Sequence, residues 1–319
     1  MSPETRLEGL ELFVAAAEAG SFALAAKKLG VTRSAVAKGV ARLEERIGAR
    51  LFQRSTRRQS LSDAGLVLHE RARRALDEVR TALDEIAAGR SDPVGRLRVA
   101  APSLLGRELV APALAALAQR HPGLAIEVAL DDRVVDLVGD GFDLAVRIGA
   151  LRDSATLVAR TVGEQRFVIC ASPAFVRAHG RPRTVADFAG LPAAVYARGG
   201  QRAPWLARAK DGATTELQVA ARFACDDVHA LERIARGGRM VAKLPAWLAT
   251  PALTEGSLVE LMADAHEDRA PVSLVWARTR HEPARLRVAI DAICTKLSRA
   301  LDPPRAPPAR AAQAKLSRR

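Results

Sequence analysis

The sequence predicts an α/β protein in two parts: a mainly helical amino-terminal winged helix-turn-helix carried on by a long linker helix, then a larger α/β region. Three observations predict it. Between Ser21 and Ser62, two short helical patterns are separated by Gly30 and followed by two strand-like pieces. Between Asp63 and Ala88, apolar residues recur at spacings of four and three. From Leu97 onward, apolar runs of strand length alternate with helical patterns, which is the signature of sheets flanked by helices.

Bulk properties narrow the class. A chain of 319 residues, 49% hydrophobic, can build two or three domains with real cores. No uninterrupted apolar run reaches a membrane span. Met1-Ser2-Pro3-Glu4-Thr5 lacks the basic start and apolar core of a secretory signal. Cys170, Cys225 and Cys294 do not make a disulfide framework and suit a reducing cytoplasm. The formal net charge of +13 points to a polyanionic partner. Its distribution is more telling: Lys27–Ser62 holds ten Lys or Arg against Glu44 and Glu45 alone.

In chain order, Leu10, Phe13, Val14 and Ala17 form one helical stripe, and Gly20 ends it. Ser21 caps a helix over Phe22–Leu29, whose stripe is Phe22, Ala26 and Leu29. Gly30 supplies a turn, and Thr32 caps the next helix. In that helix Val36, Val40, Leu43 and Ile47 share one face, while Ser34, Lys38, Ala41 and Glu45 lie opposite. Leu51–Arg54 and Ser60–Ser62 read as short strands around the wing Ser55–Gln59. A helical hairpin with a solvated basic face would share the first pattern but not the wing. The layout fits a helix entering a major groove. Thr32, Arg54, Thr56, Arg57 and Arg58 are the phosphate candidates, because hydroxyls and guanidinium groups bond phosphate oxygens. Arg33, Ser34, Ala37 and Lys38 are the base-edge candidates, for guanine acceptors or a thymine methyl.

Ser62 caps the long helix over Asp63–Ala88, in which Ala72, Leu76, Val79, Leu83 and Ile86 trace a coiled-coil seam. Self-association and packing on its own domain both satisfy that seam. Gly89–Gly95 reads as a hinge. Beyond it the expected strands are Leu97–Ala100, Leu124–Leu130, Asp143–Ile148, Arg166–Ala171, Ala193–Tyr196, Leu217–Phe223, Met240–Leu244 and Val272–Ala277. The expected helices are Leu104–Arg120, Val134–Val138, Pro173–His179, Val228–Arg236 and Pro283–Leu301. Mainly parallel pairing is expected from this order. Residues 302–319, rich in Pro, Ala and Arg, read as a disordered basic tail, either solvated or an extra clamp on DNA.

Residues 10–65 resemble the amino-terminal signature of LysR-type transcriptional regulators. Leu12-Phe13, Gly20-Ser21-Phe22, Ala25–Thr32, Arg42-Leu43-Glu44, Ile47-Gly48, Arg50–Arg54, Thr56-Arg57 and Leu61–Gly65 carry the likeness. Ala37 and Gly39 depart from it, and a mid-helix glycine costs about 1 kcal/mol relative to alanine. A looser likeness to the family's effector domain, itself similar to periplasmic binding proteins, spans 94–301. It rests on Asp136-Leu137-Val138, Gly141–Gly149, Ser172-Pro173, Gly237–Val241, Leu244-Pro245 and Ile290-Asp291. The resemblance implies a winged helix-turn-helix over 1–62, a dimerising linker helix over 63–89, a hinge over 90–96 and an effector-binding domain over 97–301. Within the last, one subdomain takes about 97–162 and 269–301, and the other about 163–268. It further implies promoter DNA and a small effector as partners, a homodimer assembling into a homotetramer, and an effect on the access of RNA polymerase.

The effector cleft is expected between the subdomains, at strand ends and helix amino termini. Pro102-Ser103 opens a helix, where the Ser103 hydroxyl and nearby N–H groups suit an anion; a simple helix cap is the alternative. Arg147, at a strand end, suits a carboxylate; a structural ion pair is the alternative. Tyr196 and Asp226 are candidates from the second subdomain. The effector expected is small and anionic. No metal-ligand spacing, phosphate loop or nucleophile elbow is present, so no catalytic residue, metal or cofactor is expected. Cys225-Asp226-Asp227-Val228-His229 reads as a buried thiol beside a capping Asp. The alternatives weighed are a nucleoid-type DNA-binding protein without effector and a small-molecule binding protein.

Overall fold

A computed structural model describes residues 9–53, 60–87, 93–208, 214–263, 268–279 and 282–302. The chain divides into two compact units, residues 1–96 and 97–319.

The first unit is built on α1 (Leu10–Ala19), α2 (Phe22–Leu29), α3 (Arg33–Ile47) and α4 (Asp63–Ala87). Hydroxyl caps start α2 and α3: Ala23 N–H donates to Ser21 Oγ and Ala35 N–H to Thr32 Oγ1. Gly20, Gly30 and Gly48 end α1–α3 in the left-handed conformation that a glycine adopts without steric penalty. Phe13, Val14, Ala25, Ala26, Val36, Val40, Leu43 and Leu51 form the core. Ile47, expected on the apolar face, is 45% exposed, because the last turn of α3 runs past the core. The wing's base is a single antiparallel bridge, Phe52 to Leu61, with Phe52 edge-on to both Phe13 and Phe22. In α4, Ala72 is buried and Leu76 packs on this core, whereas Val79 and Leu83 are exposed.

The strand that leads into the second unit, β1 (Gly95–Ala101), starts two residues earlier than expected and inside the segment read as a hinge. Next comes one helical run: α5 (Ser103–Leu105), a π-helical turn over Gly106–Val110, and α6 (Ala111–Arg120). β2 (Leu124–Leu130) and β3 (Leu144–Ile148) follow. Val134–Val138 is not a helix. Its only buried side chain is Leu137, and Asp136 instead closes a turn by accepting the Gly139 N–H at 3.0 Å.

β4 (Leu157–Ala171) is 15 residues long, starting nine residues before the expected strand. α7 (Pro173–His179) and β5 (Pro192–Arg198) match the expected pieces. The short strands β6 (Gln201–Arg202), β7 (Leu206–Arg208) and β8 (Thr214–Glu216) were not legible. β9 (Ala220–Cys225) lies slightly later than expected, before α8 (Val228–Arg236) and β10 (Val241–Pro245). α9 (Ala246–Thr254) and β11 (Val259–Leu261) are additional, and β12 (Arg269–Ala277) and α10 (Ala284–Leu297) close the unit.

The main sheet runs β2-β1-β3-β12-β4-β10-β5-β6, with β11 on β4 and β9 on β5. It is mixed, not mainly parallel. β1–β3, β10–β5 and β5–β9 pair parallel, but β12 pairs antiparallel with β3 and β4, and β4 antiparallel with β10 and β11. The cause is β4 itself. Its first part, to Arg166, pairs with β12, and its second, from Phe167, with β10, so one strand serves both halves of the sheet. Each half has its own apolar cores: Leu97, Leu114, Leu144, Leu274 and Ile290 in one, Ile169, Phe175, Phe188 and Leu231 in the other.

Candidate DNA-reading helix and effector cleft

On α3, Arg33, Ser34 and Lys38 are exposed and Ala37 is half-buried. Thr32 is exposed too, although its hydroxyl is engaged as the helix cap. Arg54, Thr56, Arg57 and Arg58 lie outside the described residues. Gly39 is on the inward side: a Cβ there would run into Leu12 Cδ1 of α1. Its place in α3 is thus explained by packing, away from the exposed face. Glu44, read in the sequence as part of the family signature, ties α3 to Leu51 and Phe52. Its Oε1 accepts the N–H groups of Leu51 (2.7 Å) and Phe52 (3.2 Å), and its other oxygen faces Arg50 at 3.6 Å. Ser62 completes the joint, donating to Arg50 O and capping α4 through the Gly65 N–H.

The second unit holds a cleft of about 1240 Å³. Parallel strands β1, β3, β5 and β9 all deliver their carboxyl ends to it, the usual place for a ligand in such sheets. Its apolar floor includes Ala100, Ala145, Val146 and Val275. Pro102, Ser103, Arg147, Tyr196 and Asp226 all line it, so the structure gathers the five candidates in one cavity.

Their contacts are specific. Pro102, not Ser103, is the cap residue of the helical run, and the Ser103 N–H already donates to Asp132 Oδ1 at 2.7 Å. A carboxylate therefore sits at that helix amino terminus, supplied by the protein. Tyr196 donates to the other oxygen of Asp132 at 3.3 Å. Burial, reinforced by the Asp132 charge, pushes the Tyr196 hydroxyl up to about 12. Asp131 accepts from Arg133 N–H (2.8 Å), Arg133 Nε (2.7 Å) and Arg198 Nη2 (2.8 Å). These bonds, the Arg133 backbone donor foremost, hold its carboxyl well below the usual carboxylate range. Arg147 donates from Nη2 to Val135 O at 2.7 Å; its Nε is buried without a protein acceptor, and among the described residues no carboxylate pairs with it. The structural ion pair weighed for Arg147 is therefore not formed here. His229, which lines the cleft, meets Glu108 of the π-helical turn at 3.0 Å. Asp226 is exposed, and the neighbouring Cys225 Sγ accepts the Asp227 N–H while Asp227 caps α8.

Asp131, Asp132 and Arg198 were missed. A signal existed, since Asp131-Asp132-Arg133 directly follows β2, but the partners are 67 and 64 positions away for Asp131 and Asp132. Among the described residues no cluster could hold a metal ion, and no helix is long and apolar enough to cross a membrane.

Comparison with known proteins follows the same division. Residues 7–66 match the family described as bacterial regulatory helix-turn-helix protein, lysR family, and residues 90–297 match the LysR substrate binding domain. The chain is 32% identical to the probable HTH-type transcriptional regulator LtrA of Klebsiella pneumoniae, over 89% of this chain and 93% of that protein. It is likewise 32% identical to the HTH-type transcriptional regulator DmlR of Escherichia coli, over 89% and 92%. Among solved structures, CrgA of Neisseria meningitidis, a LysR-type transcriptional regulator, superposes with a TM-score of 0.58 at 29% identity, covering 93% of this chain and 99% of that one. The virulence activator AphB of Vibrio cholerae, 23% identical, shares the fold with a TM-score of 0.59, covering 92% and 99%.

Proposed function

The chain belongs to the LysR family of DNA-binding transcriptional regulators with an effector-binding domain, and on that premise we propose that it reads an approximately two-fold promoter site with α3 and answers to a small anionic effector in the cleft. In this reading Arg33, Ser34, Ala37 and Lys38 meet base edges, and Thr32, Arg54, Thr56, Arg57 and Arg58 meet phosphates. Pro102, Ser103, Arg147, Tyr196 and Asp226 contact the effector. The observation that carries the anionic effector is Arg147: a half-buried guanidinium that lines the cleft and that, among the described residues, pairs with none of the carboxylates there.

A homodimer through α4, paired into a homotetramer, would present recognition helices to several half-sites at fixed spacing. Effector in the cleft would then alter that spacing and the bend of the DNA, and so the access of RNA polymerase. This coupling needs both sites and a change of arrangement between two states. The protein would act in the cytoplasm, without catalysis of its own.

The test is a footprint of the purified protein upstream of its own gene, in moderate salt. The expected result is a discrete, imperfectly palindromic protected site. Uniform weak protection that disappears with salt would leave non-specific binding, and the nucleoid-type reading would replace this one.

A further inference from the structure

Arg147 does not face the cleft alone. Arg198, at the end of β5 on the opposite side, also lines it. The two guanidinium groups converge on the same five-residue segment. Arg147 Nη2 reaches Val135 O at 2.7 Å, and Arg198 Nη2 reaches Asp131 Oδ1 at 2.8 Å. Each keeps a buried N–H that no protein acceptor meets, Nε in Arg147 and Nη1 in Arg198. Asp131 shares its one carboxylate between Arg198 and Arg133, while Asp132 acts on Arg198 by charge without a hydrogen bond to it. The helix amino terminus at Ser103, the other position suited to an anion, is already filled by Asp132. The lining of the same cleft also includes hydrocarbon from Ala100, Ala145, Val146 and Val275.

We infer that Arg147 and Arg198 form a paired anion site, and that the effector is a dicarboxylate whose two ends bridge them over a short apolar spacer. The inference rests on the cleft being the effector site. Arginine is suited to each end, since its planar fork takes a carboxylate through two parallel N–H groups. A ligand held this way also links β3 in one half of the sheet to β5 in the other, which gives its binding a means of drawing the halves together.

Calorimetry on the full chain tests it with glutarate and adipate against pentanoate and hexanoate, which match them in length but carry one carboxylate. A dicarboxylate is expected to bind about tenfold or more tighter than its monocarboxylate counterpart. Arg198→Gln and Arg147→Gln should each bring the dicarboxylate down to about the monocarboxylate's affinity, while the double variant should remove binding of both. Asp131→Asn takes the charge out of the same Arg198–Asp131 pair but keeps the guanidinium, so it should retain the preference. Equal affinity for both ligand types, or a preference lost equally in Asp131→Asn, would overturn the paired site and leave an anionic effector standing. Absence of any Arg147-dependent binding across the four acids would overturn both.

Discussion

Tyr196 and Asp132 meet across the cleft of the second unit, the tyrosine hydroxyl donating to Oδ2 at 3.3 Å while Oδ1 holds the Ser103 N–H. The bond joins the end of β5 to the loop after β2, so it draws the two walls of the cleft together. Tyr196→Phe removes the donor and leaves the ring. Stability of the chain in urea should fall by about 1 kcal/mol, the usual net value of one such bond. The pH dependence follows from the raised hydroxyl. A group raised in the folded state stabilises fully below its unfolded value, here the ordinary 10.0, and loses that contribution as pH rises through about 12. The difference between wild type and Tyr196→Phe should therefore be flat from about pH 6 to 9. A difference that shrinks within that range would mean the hydroxyl is not the donor described.

Glu44 makes the second testable joint. Its carboxylate accepts two backbone N–H groups at the base of the wing and is largely shielded, with a side-chain exposure of 12%. Glu44→Ala should destabilise the amino-terminal unit by about 2 kcal/mol, because charged hydrogen bonds are worth more than neutral ones and the donors are left unmet. Glu44→Gln keeps an acceptor and should recover most of that loss. DNA affinity should follow the same order, since this side chain holds Leu51 and Phe52, which lead to the arginines proposed to meet phosphates. If Ala and Gln behave alike in thermal melts, the bonds do not bear on the fold.

Two glycines separate local preference from packing. Gly65, in the first turn of α4, lies so close to Leu51 O that a Cβ could not be placed without moving backbone. Gly65→Ala should destabilise by about 2 kcal/mol, although alanine is favoured over glycine in a helix by about 1 kcal/mol. At Gly39 the obstacle is only the terminal methyl of Leu12, which can turn aside. Gly39→Ala should accordingly cost much less and leave DNA binding intact, because that face of α3 is turned inward. Denaturant melts of the two variants decide it, and equal costs would refute the distinction.

The same contrast explains what could be read from the chain alone. α1, α2, α3 and α7 are set by stripes, caps and glycines within their own residues, and their limits were legible to within a residue or so. The first part of β4 was not. Arg160, Thr161, Gly163, Glu164 and Gln165 carry no apolar alternation, and they are a strand because β12 pairs with them. Val134–Val138 erred the other way, with helical spacing overridden by the turn that Asp136 closes. In the cleft, Arg147 could be picked out because it ends a recognisable strand. Arg198 could not, since its role depends on where the sheet carries the end of β5 relative to Asp131.

The seam of α4 gives the last prediction. Ala72 and Leu76 pack on the core of their own unit, but Val79 and Leu83, one turn apart on the same face, stand 58% and 61% exposed. Burying such side chains is worth about 1.5–3 kcal/mol each, and a two-fold contact uses every residue twice. Leu83→Glu should therefore weaken self-association by about a hundredfold or more and, with it, binding to a paired half-site, while a single half-site is bound as before. Val67→Glu is the control: Val67 is equally exposed at 61%, but its position falls outside the four-and-three spacing. Sedimentation across a range of protein concentrations reads the result. A dimer unaffected by Leu83→Glu, or lost equally in Val67→Glu, would move the interface away from this seam and leave the exposed pair as an ordinary surface.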